Sequence, residues 1–279
     1  MKDRVLSGVT LVAFFMAIVV FNRSFPLALN IAIAFISALA VFEVIKALEL
    51  SDRWYITVPS MTAAVLVQFC EFQQANIFIY SAFTACIFCA LLRHHREITF
   101  KEMAVVYSMV VLIPLALQTI VLVRTLSDQH GMFYALVCVF SAWIPDAGAF
   151  FAGKIFGKHK LCPEISPKKT VEGAIGGLLG GVIGMTVFKL VADSMAHTLT
   201  VYPPIEMAAG PQISWGAVFA LGIIGSTISQ IGDLSFSVIK REFGVKDYGN
   251  LLPGHGGILD RFDSVTFVAP FVWLALQLL

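Results

Sequence analysis

The chain has 279 residues, 58% hydrophobic and 13% charged, with a mean hydropathy of +0.85. A water-soluble domain needs far more polar surface, so this composition excludes a cytosolic globular protein and indicates one that lives in a bilayer. A net charge of +1 offers no overall basic surface, which argues against nucleic acid as a partner.

Apolar runs near the 20 or so residues that cross a hydrocarbon core fall at 5–21, 26–48, 54–70, 75–92, 103–123, 131–153, 171–192, 214–240 and 264–279. The first follows Lys2 and Arg4, lacks a small-residue cleavage site and leads straight into the second, so it reads as a transmembrane helix and not a signal peptide. The expected fold is therefore all-α, a polytopic membrane protein with about nine spans. Connections are short through residue 153, then lengthen at 154–170, 193–213 and 241–263. The expected division is a scaffold of 1–130, with candidate dimer contacts, and a catalytic region of 131–279.

Positive charge sets the orientation. With a cytoplasmic N-terminus, the tail holds Lys2 and Arg4. The loops on that side hold Lys46, Arg53, Arg93, Arg96, Lys101, Lys154, Lys158, Lys160, Lys168, Lys169, Lys240, Arg241, Lys246 and Arg261. That is 16 of the 19 basic residues, against Arg23, Arg124 and Lys189 on the other side. The motif-rich loops then face the cytosol from a bacterial inner membrane. Five cysteines form no disulfide framework: Cys70, Cys86, Cys89 and Cys138 lie in apolar runs, and Cys162 lies in a basic loop on the reducing side.

The first five spans carry few unusual polar groups. Each carboxylate inside a span costs at least ~3 kcal/mol and asks for a reason. Asp146 follows Pro145 in the sixth run, where the proline frees a carbonyl and makes a polar break. In the eighth, Ser226, Ser229, Gln230, Asp233, Ser237 and Lys240 recur at steps of three and four as one polar stripe. A helix-packing seam accounts for its serines but not for the acid. Glycines 173, 176, 177, 180, 181 and 184 form two small-residue faces suited to close helix contact, and no strand precedes them as a nucleotide-binding loop would require.

Ser166-Pro167-Lys168-Lys169-Thr170 reads as a helix start, with serine as the cap and proline in the first position. Such a terminus suits phosphate, and an ordinary membrane anchor explains the segment equally well. The densest signal is 237–263, SVIKREFGVKDYGNLLPGHGGILDRFD. Its glycines let backbone approach a ligand around His255, a candidate phosphate donor. Asp260 and Asp263, three apart around Arg261, could converge with Asp233 on divalent cations, since a few carboxylates plus phosphate oxygens suit magnesium.

The run from Ser237 to Asp263 resembles the signature of the phosphatidate cytidylyltransferases, at Ser237, Lys240, Arg241, Lys246, Asp247, Gly249, Leu252, Pro253, His255, Gly256, Gly257, Asp260, Arg261 and Asp263. The likeness continues through Asp146, Gly148, Gly157 to Leu161, the SPKKT segment and Glu172-Gly173. Ala147 and Phe150 stand where a hydroxyl residue and a tyrosine are frequent, so neither is counted as functional. The resemblance implies a homodimeric, magnesium-dependent enzyme that makes CDP-diacylglycerol and pyrophosphate from phosphatidic acid and CTP. It assigns the metal site, with two-metal clamping favoured, to Asp233, Asp260 and Asp263. Lys240, Arg241 and Lys246 would neutralise triphosphate or pyrophosphate. Ser166, Lys168, Lys169 and Thr170 would hold a second phosphate, and Asp146 would complete the cavity. Two rivals are an ion-coupled secondary transporter using Asp146 and Asp233, and a CTP-dependent lipid kinase. The transporter usually shows two related halves, whereas here the polar groups crowd one half. The kinase needs a base for its hydroxyl acceptor, and no separate candidate is evident.

Overall fold

A computed structural model describes residues 17–18, 21–22, 24–70, 72–127, 130–199, 213–249, 251 and 256–278. Its helices are α1 (Ala28–Ala47), α2 (Trp54–Leu66, prolonged by a 3₁₀ turn Val67–Phe69), α3 (Gln73–Arg93), α4 (Phe100–Arg124) and α5 (Gly131–Phe156). A hairpin of β1 (Lys160–Cys162) and β2 (Ser166–Thr170) precedes α6 (Val171–Leu199). Two helices complete the chain, α7 (Trp215–Glu242), with a π turn at Leu221–Gly225, and α8 (Leu259–Gln277).

Among the described residues, six helices are long and apolar enough to cross a membrane: α1, α3, α4, α5, Val171–Val191 of α6, and α7. The protein is thus a helical, multi-pass membrane protein, with one small hairpin among the described residues. The expected first span, 5–21, lies largely outside the described residues. The expected third corresponds to the shorter apolar helix Trp54–Phe69. The ninth corresponds to α8, whose first turns carry Asp260, Arg261 and Asp263.

Two compact units divide the chain at Val121/Leu122, where the sequence division was placed at 130/131. Glu242–Phe262 groups with the first unit, and Asp263–Leu279 with the second.

In the first unit, Val41, Ile45, Ile56, Phe83, Ile87, Val106 and Val110 form a common core. At 1.5 Å per residue, Trp54–Phe69 is about 24 Å long, short of the ~30 Å core of a bilayer. Its terminal carbonyls therefore need partners from within the protein. Gln118 supplies them, its amide donating to the oxygens of Val67 and Cys70, both at 2.7 Å. The Gln68 amide donates to the Pro114 oxygen at 2.9 Å, and the Asn30 amide to the Gln68 backbone oxygen at 2.8 Å. This buried polar knot corrects the expectation that the early spans carry few unusual polar groups. Single amides scattered among apolar residues gave no sequence pattern.

In the second unit, α5 and α6 meet through small residues, as their spacing predicts. A Cβ at Gly148 would lie 2.9 Å from the Gly176 oxygen and 3.1 Å from the Gly180 Cα. The π turn of α7 packs on α6, where a Cβ on Gly222 would lie 2.8 Å from the Val182 backbone. A π turn holds an extra residue and so shifts the faces of the helix after it. Here the helix after it carries the polar stripe ending at Lys240.

Candidate active site

The polar stripe of α7 faces the second unit's interior. Ser229 donates to the Ala142 oxygen and to Asp146 Oδ1, both at 3.2 Å, and the Gln230 amide donates to the Ala174 oxygen at 3.2 Å. Asp233 Oδ2 lies 2.6 Å from Lys169 Nζ, and Asp233 Oδ1 lies 3.5 Å from the Ser237 hydroxyl. Lys240 Nζ stands 3.9 Å from Asp263 Oδ2, and both side chains are buried.

Ser264 joins the acids of α5 and α8. Its hydroxyl lies 2.8 Å from Asp146 Oδ2 and 3.2 Å from Asp263 Oδ1, while its backbone N–H donates to Asp263 Oδ1 at 2.7 Å. A hydroxyl has one hydrogen, so the shorter contact to Asp146 takes it and the N–H serves Asp263. Asp146, Asp233 and Asp263 thus come from three helices and lie near enough for their charges to repel. Lys169 and Lys240 offset part of that repulsion.

The expected helix start at Ser166 is instead strand β2, and this is a correction. Lys160 pairs with Thr170 and Cys162 with Ser166, closed by a turn that begins at Pro163. Each strand of a two-stranded hairpin has an open edge, so Pro167, which lacks an N–H, is tolerated there. The helix begins at Val171, and its cap is Thr170, whose Oγ1 accepts the Gly173 N–H at 3.1 Å. Glu172 then ties the hairpin down, accepting from the backbone N–H of Lys158 at 3.1 Å and of His159 at 3.2 Å, with His159 Nδ1 at 2.6 Å. Lys160 Nζ donates to the Pro167 oxygen at 2.7 Å, and Arg241 Nε to the Ile165 oxygen at 3.2 Å. The hairpin, and not a helix terminus, is what presents Lys168 and Lys169.

These elements enclose a cavity of about 460 Å³. Asp146, Asp233, Lys154, Lys168 and Lys169 supply its charged lining, while Ala149, Phe150, Leu161 and Leu234 supply an apolar wall. Phe150, set aside in the sequence for lacking a hydroxyl, is part of that wall. Lys154 stands in the sequence only as an orientation charge and Ser229 only as part of a helix-packing seam, while Ser264 carries no signal there. Ser264 directly follows Asp263, but a serine beside an acid is too common to signal a bridge.

In the first unit, Asp260 Oδ2 accepts the backbone N–H groups of Tyr248 and Gly257, both at 2.9 Å. Lys246 is exposed, Arg261 is half-buried, and His255 lies outside the described residues. Glu43, 6% exposed, accepts the Ile258 N–H at 2.9 Å and the Leu259 N–H at 2.8 Å, so an acid from α1 caps the start of α8. Two hydrogen bonds to a charged group contribute about 1.5–3 kcal/mol each. Together the bonds are worth about 3–6 kcal/mol, and embedding the carboxylate costs at least ~3 kcal/mol, so burial offsets much of what they contribute. A lone Glu near Lys46 gave no motif to read.

Among the described residues, no three His, Cys, Asp or Glu side chains are grouped so as to hold a metal ion. The donor set still fits magnesium in kind, because Asp146, Asp233 and Asp263 are hard oxygen ligands and magnesium completes its shell with phosphate oxygens and water.

Helices that cross a membrane, an acid–lysine cluster and a half-polar cavity define an integral-membrane protein built to handle an anionic, amphipathic ligand. A profile of the Cytidylyltransferase family matches residues 2–279, and the chain belongs to that family. A phosphatidate cytidylyltransferase of Bacillus subtilis (strain 168) is 32% identical over 290 residues, covering 100% of this chain and 98% of the relative. Enzymes of the same name from Staphylococcus saprophyticus and Staphylococcus aureus (strain COL) are 40% and 41% identical over 144 residues, which is 52% of this chain and 49% of each relative.

Proposed function

We propose that the second unit's cavity is where the chain carries out the reaction of its relatives, converting phosphatidic acid and CTP to CDP-diacylglycerol and pyrophosphate. The observation that carries the assignment is the two-sided lining of the cavity. Lys154, Lys168 and Lys169 suit a phosphate, while Phe150, Leu161 and Leu234 suit the glycerol and first methylenes of a lipid.

The attacking group is the phosphate of phosphatidic acid. As a phosphomonoester with a second pKa of about 6, it is already ionised at neutral pH and needs no general base. It attacks the α-phosphorus of CTP, and the bond to the β-phosphate oxygen breaks as pyrophosphate departs. The obstacle is the approach of one polyanion to another, so positioning and charge neutralisation dominate. Lys169, paired with Asp233, turns to the incoming phosphate with Lys168 beside it. Lys240 and Arg241 act on the triphosphate and the leaving pyrophosphate; Lys246, His255 and Arg261 are further phosphate-binding candidates on the strength of the family signature. Ser166 and Thr170 shape the hairpin that carries the two lysines. Asp233 and Asp263 would hold magnesium with Asp146 behind them, and the ion would supply the charge that lets the reactants meet. Asp260, expected as a third ligand, has the part of ordering the loop before α8.

The full architecture proposed is nine spans with a cytoplasmic N-terminus, supported by 16 of 19 basic residues falling on one side. It places the site at the cytosolic face of the inner membrane, where CTP is available. The working form proposed is a homodimer, which cross-linking in native membranes tests.

Purified protein incubated with phosphatidic acid, magnesium and CTP labelled at either the α or the γ position tests the reaction. The α label enters the lipid fraction and the γ label leaves as pyrophosphate. Label from the γ position in lipid would instead mean a kinase, and chemically unchanged CTP a transporter.

A further inference from the structure

The proposed reaction assigns no residue of α1 a part, yet α1 carries a nearly buried acid, Glu43. Its two carboxylate oxygens take one N–H each, from Ile258 and Leu259. Those are backbone donors at the entry to α8, which have no acceptor inside their own helix. Asp260 takes two more from the same segment, Tyr248 and Gly257. Two anions, one from α1 and one from the signature run itself, therefore collect four backbone N–H groups of that segment.

The loop is also shaped to admit Glu43. A Cβ added at Gly249 or at Gly257 would strike the Glu43 carboxylate. A glutamate side chain could ordinarily swing away, but this one is held by two hydrogen bonds in a buried place. The absence of a side chain at 249 and 257 and the presence of an acid at 43 are thus one feature seen from two sides. Gly256, at φ +82°, adds a conformation that L side chains rarely adopt. A Cβ there would lie 2.9 Å from Asp260 Oδ2.

We infer that Glu43 is a positioning residue for cytidylyl transfer: by docking between Gly249 and Gly257 and capping α8, its carboxylate holds the signature loop in working shape. It touches no substrate. It acts through the loop that carries Lys246 and Asp260, and this inference rests on the proposed reaction. Because burial offsets much of what its two hydrogen bonds contribute, Glu43 fits a role in selecting one conformation of the loop.

The test uses the full-length protein in detergent, with Glu43→Gln as the main variant. The amide keeps the size but turns an NH₂ toward a backbone N–H, so one of the two contacts is lost. Misplacing a reacting group by about 1 Å through a change remote from the chemistry costs up to about 100-fold in rate. We expect kcat to fall by about that factor, with folded yield and melting temperature close to wild type. Hydrogen exchange at the amides of Ile258 and Leu259 should quicken while peptides from α3 stay unchanged. The second variant pair is Gly257→Ala, which should be impaired, and Gly257→Ala with Glu43→Asp, where the retracted acid makes room and restores part of the lost kcat. Unchanged kcat in Glu43→Gln, or no gain from Glu43→Asp in the Gly257→Ala background, would overturn the inference. The exchange measurement needs no turnover. A wild-type protein that protects those amides but makes no CDP-diacylglycerol would therefore sink the proposed reaction and not the Glu43 contact.

Discussion

Replacing Lys169 by methionine separates a structural ion pair from a substrate-binding one. The ammonium lies 2.6 Å from Asp233 Oδ2, and the two side chains are 26% and 28% exposed. At an effective dielectric of about 20, unit charges at that distance attract by about 6 kcal/mol before desolvation. Fully exposed pairs retain about 0–1 kcal/mol of such attraction, and breaking a buried pair costs about 3–5 kcal/mol. A quarter-exposed pair falls between, so Lys169→Met should destabilise the protein by about 1–3 kcal/mol. Its effect on turnover has a different origin. If the ammonium leaves Asp233 for a phosphate, the variant loses a charged hydrogen bond of about 1.5–3 kcal/mol, which is about 10- to 150-fold in kcat/KM. The assay is label transfer from CTP to lipid with each substrate varied in turn, beside a melting measurement in detergent. A drop in stability with unchanged kcat/KM for both substrates would refute the phosphate role and leave Lys169 as a partner of Asp233 alone.

Ser264→Ala removes the hydroxyl between Asp146 and Asp263 but keeps the backbone N–H on Asp263. Loss of that bond to a carboxylate should lower kcat by about 10-fold or more with little change in folded yield, and wild-type turnover would show that Asp146 needs no such tether. Gly148→Val forces a side chain onto backbone atoms of Gly176 and Gly180, which cannot swing aside. It should lower the melting temperature through a loss of at least about 1–3 kcal/mol, and an unshifted melt would contradict the close α5–α6 packing. Chelating divalent cations should abolish transfer and added magnesium should restore it; turnover in metal-free buffer would rule out the assignment to Asp233 and Asp263.

The sequence by itself determined whatever depends on one helix or one composition. Apolar runs specified the membrane helices, glycines at steps of three and four marked α6 for close helix contact, and the stripe from Ser226 to Lys240 specified which face of α7 turns inward. Each is periodic, and periodicity is local information. The fourteen matched positions from Ser237 to Asp263 identified the family, again within one short stretch. Only tertiary structure decided which distant groups meet. Asp146 and Asp263 are joined through Ser264, Lys169 reaches Asp233 from a hairpin, and Glu43 caps a helix that begins 216 residues later. The segment before α6 shows why such outcomes are hard to read: Ser166 and Thr170 are both acceptable caps, and local preference alone cannot rank them. Pairing of Ser166 with Cys162, the Glu172 contacts and the Arg241 tether made 166–170 a strand and left the cap to Thr170. Hydrogen bonds between remote segments leave no period in the chain, so they become visible only when the chain has folded.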